Sequence, residues 1–448
     1  MNRIKLIELI DLPIQLIDGD RGVNYPSKSE FTNDGYCVFL NTGNVTKTGF
    51  DFSNIEFISE ERDLLLRKGK LQFNDIVLTT RGTVGNVGFY HNQNSFKHIR
   101  INSGMIILRC DENIIYPYYL FLFLRSEIFK KQVLDQASGS AQPQLPIGSL
   151  KNISFPFFEL ETQQNIAKVL SDVDAKIELN NRINTELEAM AKTLYDYWFV
   201  QFDFPDANGK PYKTSGGTMV WNEELKREIP EGWEVEKVSK SSNIVDCLHS
   251  KKSEYNFIDE ETYLLQLENI KDDGLIDLSK KYHVSKEDYK NWTTRIEVKD
   301  NDIIITNAGR VAATAQIPSN IIAGIGRNIT AIRPDSISPT FLYVAFQGSE
   351  MKRQIALNTD TGTFFKSLNV KGIKELLIAR PLKNIEEKFE SIVFPMRRKR
   401  EQNQIENQEL ASLRDWLLPM LMNGQVSVGD VEEELGMVAE SCVEYKKS

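Results

Sequence analysis

One stretch occurs twice in this chain, as Asn74-Asp75-Ile76-Val77-Leu78-Thr79 and as Asn301-Asp302-Ile303-Ile304-Ile305-Thr306. The match between the two copies decides the fold. The offset between the two is 227 residues, and it settles at 223 further along. Solenoid repeats have periods of roughly 20–50 residues, so a period this long predicts two duplicated domains. Three more matches follow in the same order in both halves: Arg109-x-Asp111 with Arg333-x-Asp335, Pro117-x-Tyr119-Leu120 with Pro339-x-Phe341-Leu342, and Asn180 to Leu194 with Asn403 to Leu417.

Each half repeats one order of predicted elements, which we call a module. Short β-branched runs bounded by turn residues predict strands, and a proline then opens a predicted helix. A loop rich in Gly, Ser and Thr and a last strand close the module, so each module is predicted to be α+β. Because the halves differ strongly between the matches, we expect two modules with the same task on different targets; an old duplication without a shared task is the alternative. The helices are predicted at residues 118–131 and 340–354, the loops at 137–142 and 359–363, and the last strands at 153–158 and 376–379.

A long polar helix is predicted to end each half. Apolar and amide residues, together with Arg400 and Arg414 in the second helix, recur at alternating steps of four and three, which is the seam of a coiled coil. Two asparagines lie on each seam, Asn180 and Asn184 in the first and Asn403 and Asn407 in the second. A seam asparagine needs a polar partner, so these four predict that the two helices pair with each other, antiparallel and about a pseudo-two-fold axis. The alternative is two separate amphipathic helices, each packed on its own module.

These patterns predict an α+β chain of two tandem modules with two long helices that form an antiparallel coiled coil. The segment before the second module is rich in Pro, Gly, Lys and Asp and is predicted to be a connector, and the acidic end of the chain is predicted to be partly disordered. The predicted boundaries are 1–158 for the first module, 159–201 for its helix, 202–232 for the connector, 233–382 for the second module, 383–423 for its helix and 424–448 for the tail.

The charge of the chain is unevenly distributed. The 448 residues carry a net charge of −9, yet residues 1–155 carry 17 basic and 16 acidic side chains, and residues 233–380 carry 20 of each. The acidity is concentrated in residues 156–232 and 427–448. The two modules are therefore neutral on average, and each can present a basic face to a nucleic acid.

The composition predicts a cytoplasmic protein. No apolar run of 18 residues predicts a membrane span, and the first ten residues do not resemble a signal peptide. The cysteines are far apart and form no CxxC pair, so we expect reduced thiols. They are Cys37, Cys110, Cys247 and Cys442.

Catalytic motifs are absent from the sequence. It has no GxxxxGK[ST] phosphate loop, no [DN]PP[YF] tetrapeptide of amino-methyltransferases and no HExxH, and Asp206 with Lys210 is best explained as a turn. The four histidines are scattered and predict no metal site. We therefore expect neither a catalytic residue nor a cofactor in this chain. The histidines are His91, His98, His249 and His283.

The sequence resembles the specificity subunits of type I restriction-modification enzymes over residues 1–424. The similarity is carried by Gly209–Gly217, Val220-Trp221-Asn222, Ile229–Val235, Asp75–Gly85 and Gln163-Gln164-Asn165-Ile166-Ala167. The second half departs from the family pattern, because Asn307-Ala308-Gly309-Arg310 replaces the Thr-Arg-Gly form and Glu386-Glu387-Lys388-Phe389 replaces the Gln-Gln start. These departures weaken the transfer of individual contacts more than the transfer of the fold.

The resemblance implies a division of labour within a larger complex. Each module would be a target-recognition domain that reads one half of a split double-stranded DNA site, and the two helices would hold the domains at a fixed separation. Methyltransferase (modification) subunits would bring S-adenosylmethionine. A motor-nuclease (restriction) subunit would bring ATP hydrolysis and cleavage, so this chain would need no cofactor of its own.

Residues that could touch DNA are polar and basic side chains in the Gly-containing loops, where base edges or phosphates can be reached. Any one of them could instead be a solvated surface residue, and the basic run Arg397-Arg398-Lys399-Arg400 could face DNA, an acidic partner or solvent. The candidates are Thr80, Arg81, Lys97, Arg100, Ser140, Gln142 and Gln144 in the first module and Asn307, Arg310, Arg327, Thr363 and Lys366 in the second.

The sequence leaves other functions open. The chain could be the recognition subunit of a related split-site enzyme whose partner fuses methylase and nuclease. It could also be a structural scaffold or DNA mimic without DNA affinity, although a mimic needs dense acid on its modules. A stand-alone methyltransferase is opposed by the missing tetrapeptide and cofactor loop.

Overall fold

The structure is a computed structural model that describes residues 5–47, 49–91, 96–136, 144–150, 152–248, 261–361 and 366–429. The chain divides into two compact units. Unit 1 contains residues 1–176 and 409–448, and unit 2 contains residues 177–408. Most of the predicted acidic tail, residues 424–448, lies outside the described residues.

Unit 1 contains the first module. Its four-stranded sheet has the order β2-β10-β7-β8, a three-stranded sheet has the order β6-β3-β9, and β1 pairs with β11. The strands are β1 Lys5–Glu8, β2 Ile14–Asp18, β3 Cys37–Leu40, β4 Val45–Thr46, β5 Gly49–Phe50, β6 Glu56–Ile58, β7 Ile76–Thr79, β8 Val87–Phe89, β9 Ile99–Ile101, β10 Met105–Cys110 and β11 Ser154–Phe157. The helices are α1 Glu60–Leu65, α2 Pro117–Arg125, α3 Glu127–Gln136 and α4 Ile147–Leu150, followed by the long helix α5 Leu160–Tyr195.

Unit 2 contains the second module, and its sheets repeat the topology of the first. The four-stranded order is β15-β21-β18-β19, the three-stranded order is β17-β16-β20, and β14 pairs with β24. The strands are β12 Met219–Asn222, β13 Arg227–Pro230, β14 Glu234–Lys237, β15 Ser242–Asp246, β16 Tyr263–Leu265, β17 Tyr282–His283, β18 Ile303–Thr306, β19 Thr314–Gln316, β20 Gly324–Ile325, β21 Ile329–Pro334, β22 Asp360–Thr361, β23 Lys366–Ser367 and β24 Leu377–Arg380. The helices are α6 Val238–Ser241, α7 Lys286–Trp292, α8 Pro339–Gln347, α9 Ser349–Leu357, α10 Val370–Lys374 and the long α11 Lys383–Met422.

The repeated stretch forms one of the two inner strands of each four-stranded sheet, β7 in the first module and β18 in the second. Every residue of β7 and β18 is buried, because each of these strands is covered on both faces. Just before each strand, Asn74 and Asn301 adopt positive φ angles of 64° and 70°, which asparagine tolerates better than most residues. The sequence match therefore marks a turn and a core strand that both modules need.

The predicted helix of each module is broken into two. The pattern predicts one helix over residues 118–131, but α2 ends at Arg125 and Ser126 is extended, with φ −70° and ψ 155°. The Ser126 hydroxyl then accepts a hydrogen bond from the backbone N–H of Phe129, which begins the next helix. Gly348 makes the same break between α8 and α9, with φ −70° and ψ 154°. The prediction of a continuous helix was wrong because the apolar periodicity continues across the break.

The connector is more ordered than its composition suggests. Strands β12 and β13 form an antiparallel hairpin, with Met219 opposite Pro230. Phe204 stacks on the rings of Tyr212 and Trp233, at centroid distances of 4.7 and 5.3 Å. These aromatic side chains anchor the connector within unit 2.

No helix in the part of the chain that the structure describes is long and apolar enough to cross a membrane.

Candidate nucleic-acid interface

Arg81 lies in the turn between β7 and β8, just after the end of β7. An isolated β-bridge pairs Arg81 with Gln144, so two of the predicted contacts are neighbours on the surface. Both side chains are exposed. The Thr83 hydroxyl donates to the carbonyl of Thr42 at 3.0 Å and fixes the turn. We call residues 80–86, 102–104 and 144 the first reading edge.

The turn itself depends on glycine and on a buried threonine. Gly82 has φ 71°, which favours glycine, and its Cα hydrogen faces the Thr42 hydroxyl. Thr80 is buried and its hydroxyl donates to the Gly104 carbonyl at 3.0 Å. Thr80 therefore supports the turn of the first reading edge from inside the module, and its side chain does not face a ligand.

The second module builds the matching edge from different residues. Ala308 is bridged to Ser367, and the N–H of Leu368 donates to the Asn307 carbonyl at 2.8 Å, as Leu145 does to Thr80 at 3.0 Å. Ala308 therefore takes the place of Arg81. We call residues 307–313, 326–328 and 366–367 the second reading edge.

Three predicted cations lie on the second reading edge, namely Arg310, Arg327 and Lys366. Arg310 donates to the carbonyl of Ile270 and pairs with Asp272 at 3.1 Å. Arg327 and Lys366 are exposed. The Asn307 side chain is buried and lies 3.4 Å from an Asp246 carboxylate oxygen. Lys366 is thus better placed than Arg310 or Asn307 to meet a ligand.

Arg100 has a structural position rather than an interfacial one. Its side chain is only 6% exposed, and its guanidinium donates to the Asp63 carboxylate at 2.5 Å and to the carbonyls of Lys68, Asp63 and Leu66. Burial raises the pKa of Asp63, but hydrogen bonds from Lys70 and Arg100 outweigh it and hold that pKa below its usual value. All of these donors are used inside the module, so we remove Arg100 from the interface.

The remaining candidates are separated from the first reading edge or lie outside the described residues. Lys97 is exposed, but it precedes strand β9, whereas residues 102–104 follow that strand. Ser140, Gln142 and Thr363 lie outside the described residues.

Sequence reasoning missed the loops that support both edges. In the first module, the Asn44 side chain accepts from the backbone of Asn41 and donates to the carbonyls of Asp51 and Asn54. Asn269 makes the same bonds in the second module, to Gln266, Asp277 and Lys280. The signal was the recurrence of an asparagine at an offset of 225, too short a match to stand out by itself.

A cavity of about 860 Å³ adjoins the first reading edge within unit 1. Its lining includes Lys47, Arg125 and Lys130, together with apolar side chains of α2 and α3. Burial lowers the pKa of Arg125, partly offset by the carboxylate of Asp174. Among the described residues, no group of His, Cys, Asp and Glu side chains could hold a metal ion.

Comparison with known proteins gives the same family that the sequence suggests. Residues 16–189 match the family model described as the type I restriction modification DNA specificity domain. The chain is 25% identical to the type I restriction enzyme HindI specificity subunit of Haemophilus influenzae, over 91% of this chain and 98% of that protein. It is also 25% identical to the MjaIX specificity subunit of Methanocaldococcus jannaschii, over 80% of this chain and 78% of that one. The chain is therefore similar to type I specificity subunits over most of its length.

The likeness extends to the fold. A crystal structure of the type I restriction-modification S subunit from M. genitalium superposes with a TM-score of 0.51 at 16% identity, covering 94% of this chain and 97% of that one. At this identity the likeness concerns the fold alone. It agrees with two α+β modules and two long helices.

The long helices pair with each other through the predicted asparagines. The Asn403 amide donates to the Asn184 amide oxygen at 2.9 Å, and the Asn180 amide donates to Asn407 at 3.0 Å, all within unit 2. Partner numbers fall on one helix as they rise on the other, so the helices are antiparallel. Asn180, Asn184 and Asn403 are buried. Mutual pairing is confirmed, and the alternative of two separate helices is wrong.

The start of each long helix makes one hydrogen bond that is the same in both halves. Gln163 on α5 accepts from the backbone N–H of Tyr116 at 2.9 Å, and Glu386 on α11 accepts from that of Ser338 at 2.6 Å. Gln163 also donates to carbonyls, which a carboxylate cannot do. In the second half, Arg380 pairs with Glu386 instead. Glu386 thus keeps the bond from the backbone N–H, and an ion pair with Arg380 replaces the bonds that Gln163 donates to carbonyls.

Proposed function

We propose that this chain is the DNA-sequence specificity subunit of a type I restriction-modification complex. Each module reads one half of a bipartite site in double-stranded DNA through its reading edge. The observation that carries the proposal is the duplicated frame. Both modules repeat the same buried bonds but place different residues at one position of the reading edge, the exposed Arg81 in the first and the half-buried Ala308 in the second. Such a pair suits one task performed on two sequences.

The partners follow from the same proposal. Methyltransferase subunits supply S-adenosylmethionine and the transfer chemistry, and a motor-nuclease subunit supplies ATP hydrolysis and cleavage. The relatives in H. influenzae and M. jannaschii are named as specificity subunits of type I restriction enzymes, which supports this assignment. The complex acts on DNA in the cytoplasm.

Boundaries of the functional parts are part of the proposal. Residues 1–158 and 233–382 are the target-recognition domains, residues 159–201 and 383–423 are the spacer helices, and residues 202–232 connect the halves. The pairing of β1 with β11, and of β14 with β24, supports these limits because it brings the two ends of each domain together.

The purified chain alone is expected to transfer no methyl group to DNA and to bind neither S-adenosylmethionine nor ATP. Co-expression with the methyltransferase subunits of its complex should give methylation at a split sequence. Methylated sites can be mapped by long-read sequencing of the host genome. Methyl transfer by the chain alone, in a preparation shown to be free of other subunits, would contradict the assignment.

Arg81→Ala is expected to lower affinity for the cognate site, because an arginine fork that reads a guanine contributes about 1–3 kcal/mol of discrimination. The measurement is a titration of the assembled complex with the cognate duplex and with a duplex changed in the first half-site. Arg81→Lys is the matched control, since lysine keeps the charge but not the fork. Equal weakening of both duplexes in Arg81→Ala, with affinity restored in Arg81→Lys, would assign a phosphate contact. Unchanged affinity in both variants over a salt series would remove Arg81 from the interface.

A further inference from the structure

The densest basic run of the chain is not a free charged surface. Arg397 and Arg400 of helix α11 are each 8% exposed. Arg398 pairs with Asp300 at 2.8 Å and with Glu401 at 2.9 Å. The charges of these arginines are therefore matched within unit 2.

The two buried arginines bond to loops of the second module. Arg397 donates to the Asn301 side-chain oxygen at 2.6 Å and to the Ile317 carbonyl at 2.8 Å. Arg400 donates to the Asp273 carbonyl at 2.7 Å. One turn further, Gln404 donates to the Ile276 carbonyl at 2.6 Å. Three of these four acceptors are backbone carbonyls. The bonds therefore depend on where the loop backbone lies, and not only on the charge of the loops.

The helix pair is held in the same cluster. Arg400 also donates to the Glu188 carboxylate of helix α5 at 3.1 Å, and its backbone carbonyl lies 3.4 Å from the Asn184 amide nitrogen. One side chain thus joins α11, α5 and a loop of the module.

Apolar side chains around the arginines are not packed tightly enough to hold these elements in place without the hydrogen bonds. A cavity of about 190 Å³ lies beside the arginines, lined by Ala191 of α5, Val344 of α8 and Val393 of α11 among others. Where packing is incomplete, directional hydrogen bonds decide how the elements are oriented.

At the matching helix positions, which the structure describes, the first half has no equivalent of this cluster. With the offset of 223, Asp174 and Ile177 take the places of Arg397 and Arg400. Asp174 contacts the Tyr118 hydroxyl at 3.4 Å and the Arg414 guanidinium at 2.9 Å. Tyr118 belongs to helix α2, whereas the residues that Arg397 bonds to, Asn301 and Ile317, lie next to strands β18 and β19 of the second module.

We propose that Arg397 and Arg400 are positioning residues that fix the orientation of the second module on the helix pair, so that the assembled complex accepts one gap between the half-sites. This rests on the proposed function. With the bonds lost, the module can tilt on its helix and reach a half-site displaced by a base pair. The sequence that it reads stays the same, because neither arginine lies on the second reading edge.

The test uses the full chain assembled with its methyltransferase subunits. Arg397→Lys with Arg400→Lys keeps both charges but removes the forked donors, and Asn301→Gly removes the acceptor while tolerating the positive φ of 70°. Arg353→Lys is the control, because Arg353 is exposed and its guanidinium pairs with Glu350 of its own helix. Thermal unfolding of each variant checks that it folds.

The substrates are duplexes that carry both half-sites with the gap changed one base pair at a time. We expect methylation at the neighbouring gaps, relative to the original gap, to rise about tenfold in the double variant and in Asn301→Gly, with unchanged half-sites and no change in Arg353→Lys. An unchanged ratio in the folded variants, or a changed second half-site, would overturn the positioning role. Failure of the unmodified complex to methylate any split site would overturn the proposed function itself, which is a separate result.

Discussion

Replacement of residues 233–380 with the second module of another family member is expected to change one half of the recognised DNA sequence completely and to leave the other half intact. The cut points suit an exchange, because Glu234 lies opposite Arg380 in the antiparallel pair of β14 and β24. The first and last residues of the module therefore lie next to each other. Its apolar core includes β18, β21 and α8, all inside the exchanged segment.

The exchange is measured by mapping methylated sites in cells that express the chimera with its partner subunits. The donor should keep an acid at position 236 and Arg380, since Arg380 pairs with Glu236 at 2.6 Å and with Glu386 on α11 at 3.1 Å. The reciprocal exchange of residues 5–157, whose ends are joined by β1 and β11, should change only the other half. A change in both halves after either exchange would show that the modules do not read DNA independently.

The frame of each module could be predicted because its key residues recur in short, matched stretches. Asp75 and Arg109 form an ion pair at 2.7 Å with the Asp75 carboxylate buried, and Asp302 and Arg333 repeat it at 2.6 Å. All four residues lie in the sequence matches that defined the repeat. A buried charge without its partner is costly, so both members of each pair persist together and make the frame visible in the sequence.

The candidate contacts were harder to predict because an arginine beside a glycine-rich loop has the same local sequence whether it faces solvent or the protein. Arg100 bonds to Asp63, which is 37 residues away, and Arg310 bonds to Ile270, which is 40 residues away. Arg397 reaches Asn301 across 96 residues. Such partners are set by tertiary structure, and no periodicity in the sequence shows them.

The helix pair could be predicted in part: its pairing followed from the sequence, but some of its contacts did not. The seam and its asparagines predicted the antiparallel register, since an amide on an apolar seam needs another amide opposite it. The same seam also contains Arg400 and Arg414, which a coiled coil alone does not explain. Both are accounted for by carboxylates: Arg400 pairs with Glu188 in unit 2, and Arg414 pairs with Asp174 in unit 1.

Insertion of seven residues into both long helices is expected to lengthen the gap between the half-sites by a few base pairs without changing either half-site. The insertions belong between Leu179 and Asn180 and between Asn407 and Gln408, which the antiparallel register places opposite each other. The asparagine pairs then stay together on one side, and the Asp174–Arg414 pair stays together on the other. Seven residues add one heptad, so the seam continues through the insertion.

The length change follows from helix geometry. At about 1.5 Å per residue, the insertion adds roughly 10 Å, and at ~3.4 Å per base pair this corresponds to ~3 base pairs. A heptad inserted only after Leu179 should instead damage assembly, because it moves Asn180 and Asn184 on α5 away from Asn407 and Asn403 and leaves buried amides without partners. The measurement is a genome-wide map of methylated sites for the double and single insertions. An active double insertion that methylates only the original gap would show that some other part of the complex measures the distance, since both half-sites would still be read while the helices between them had grown.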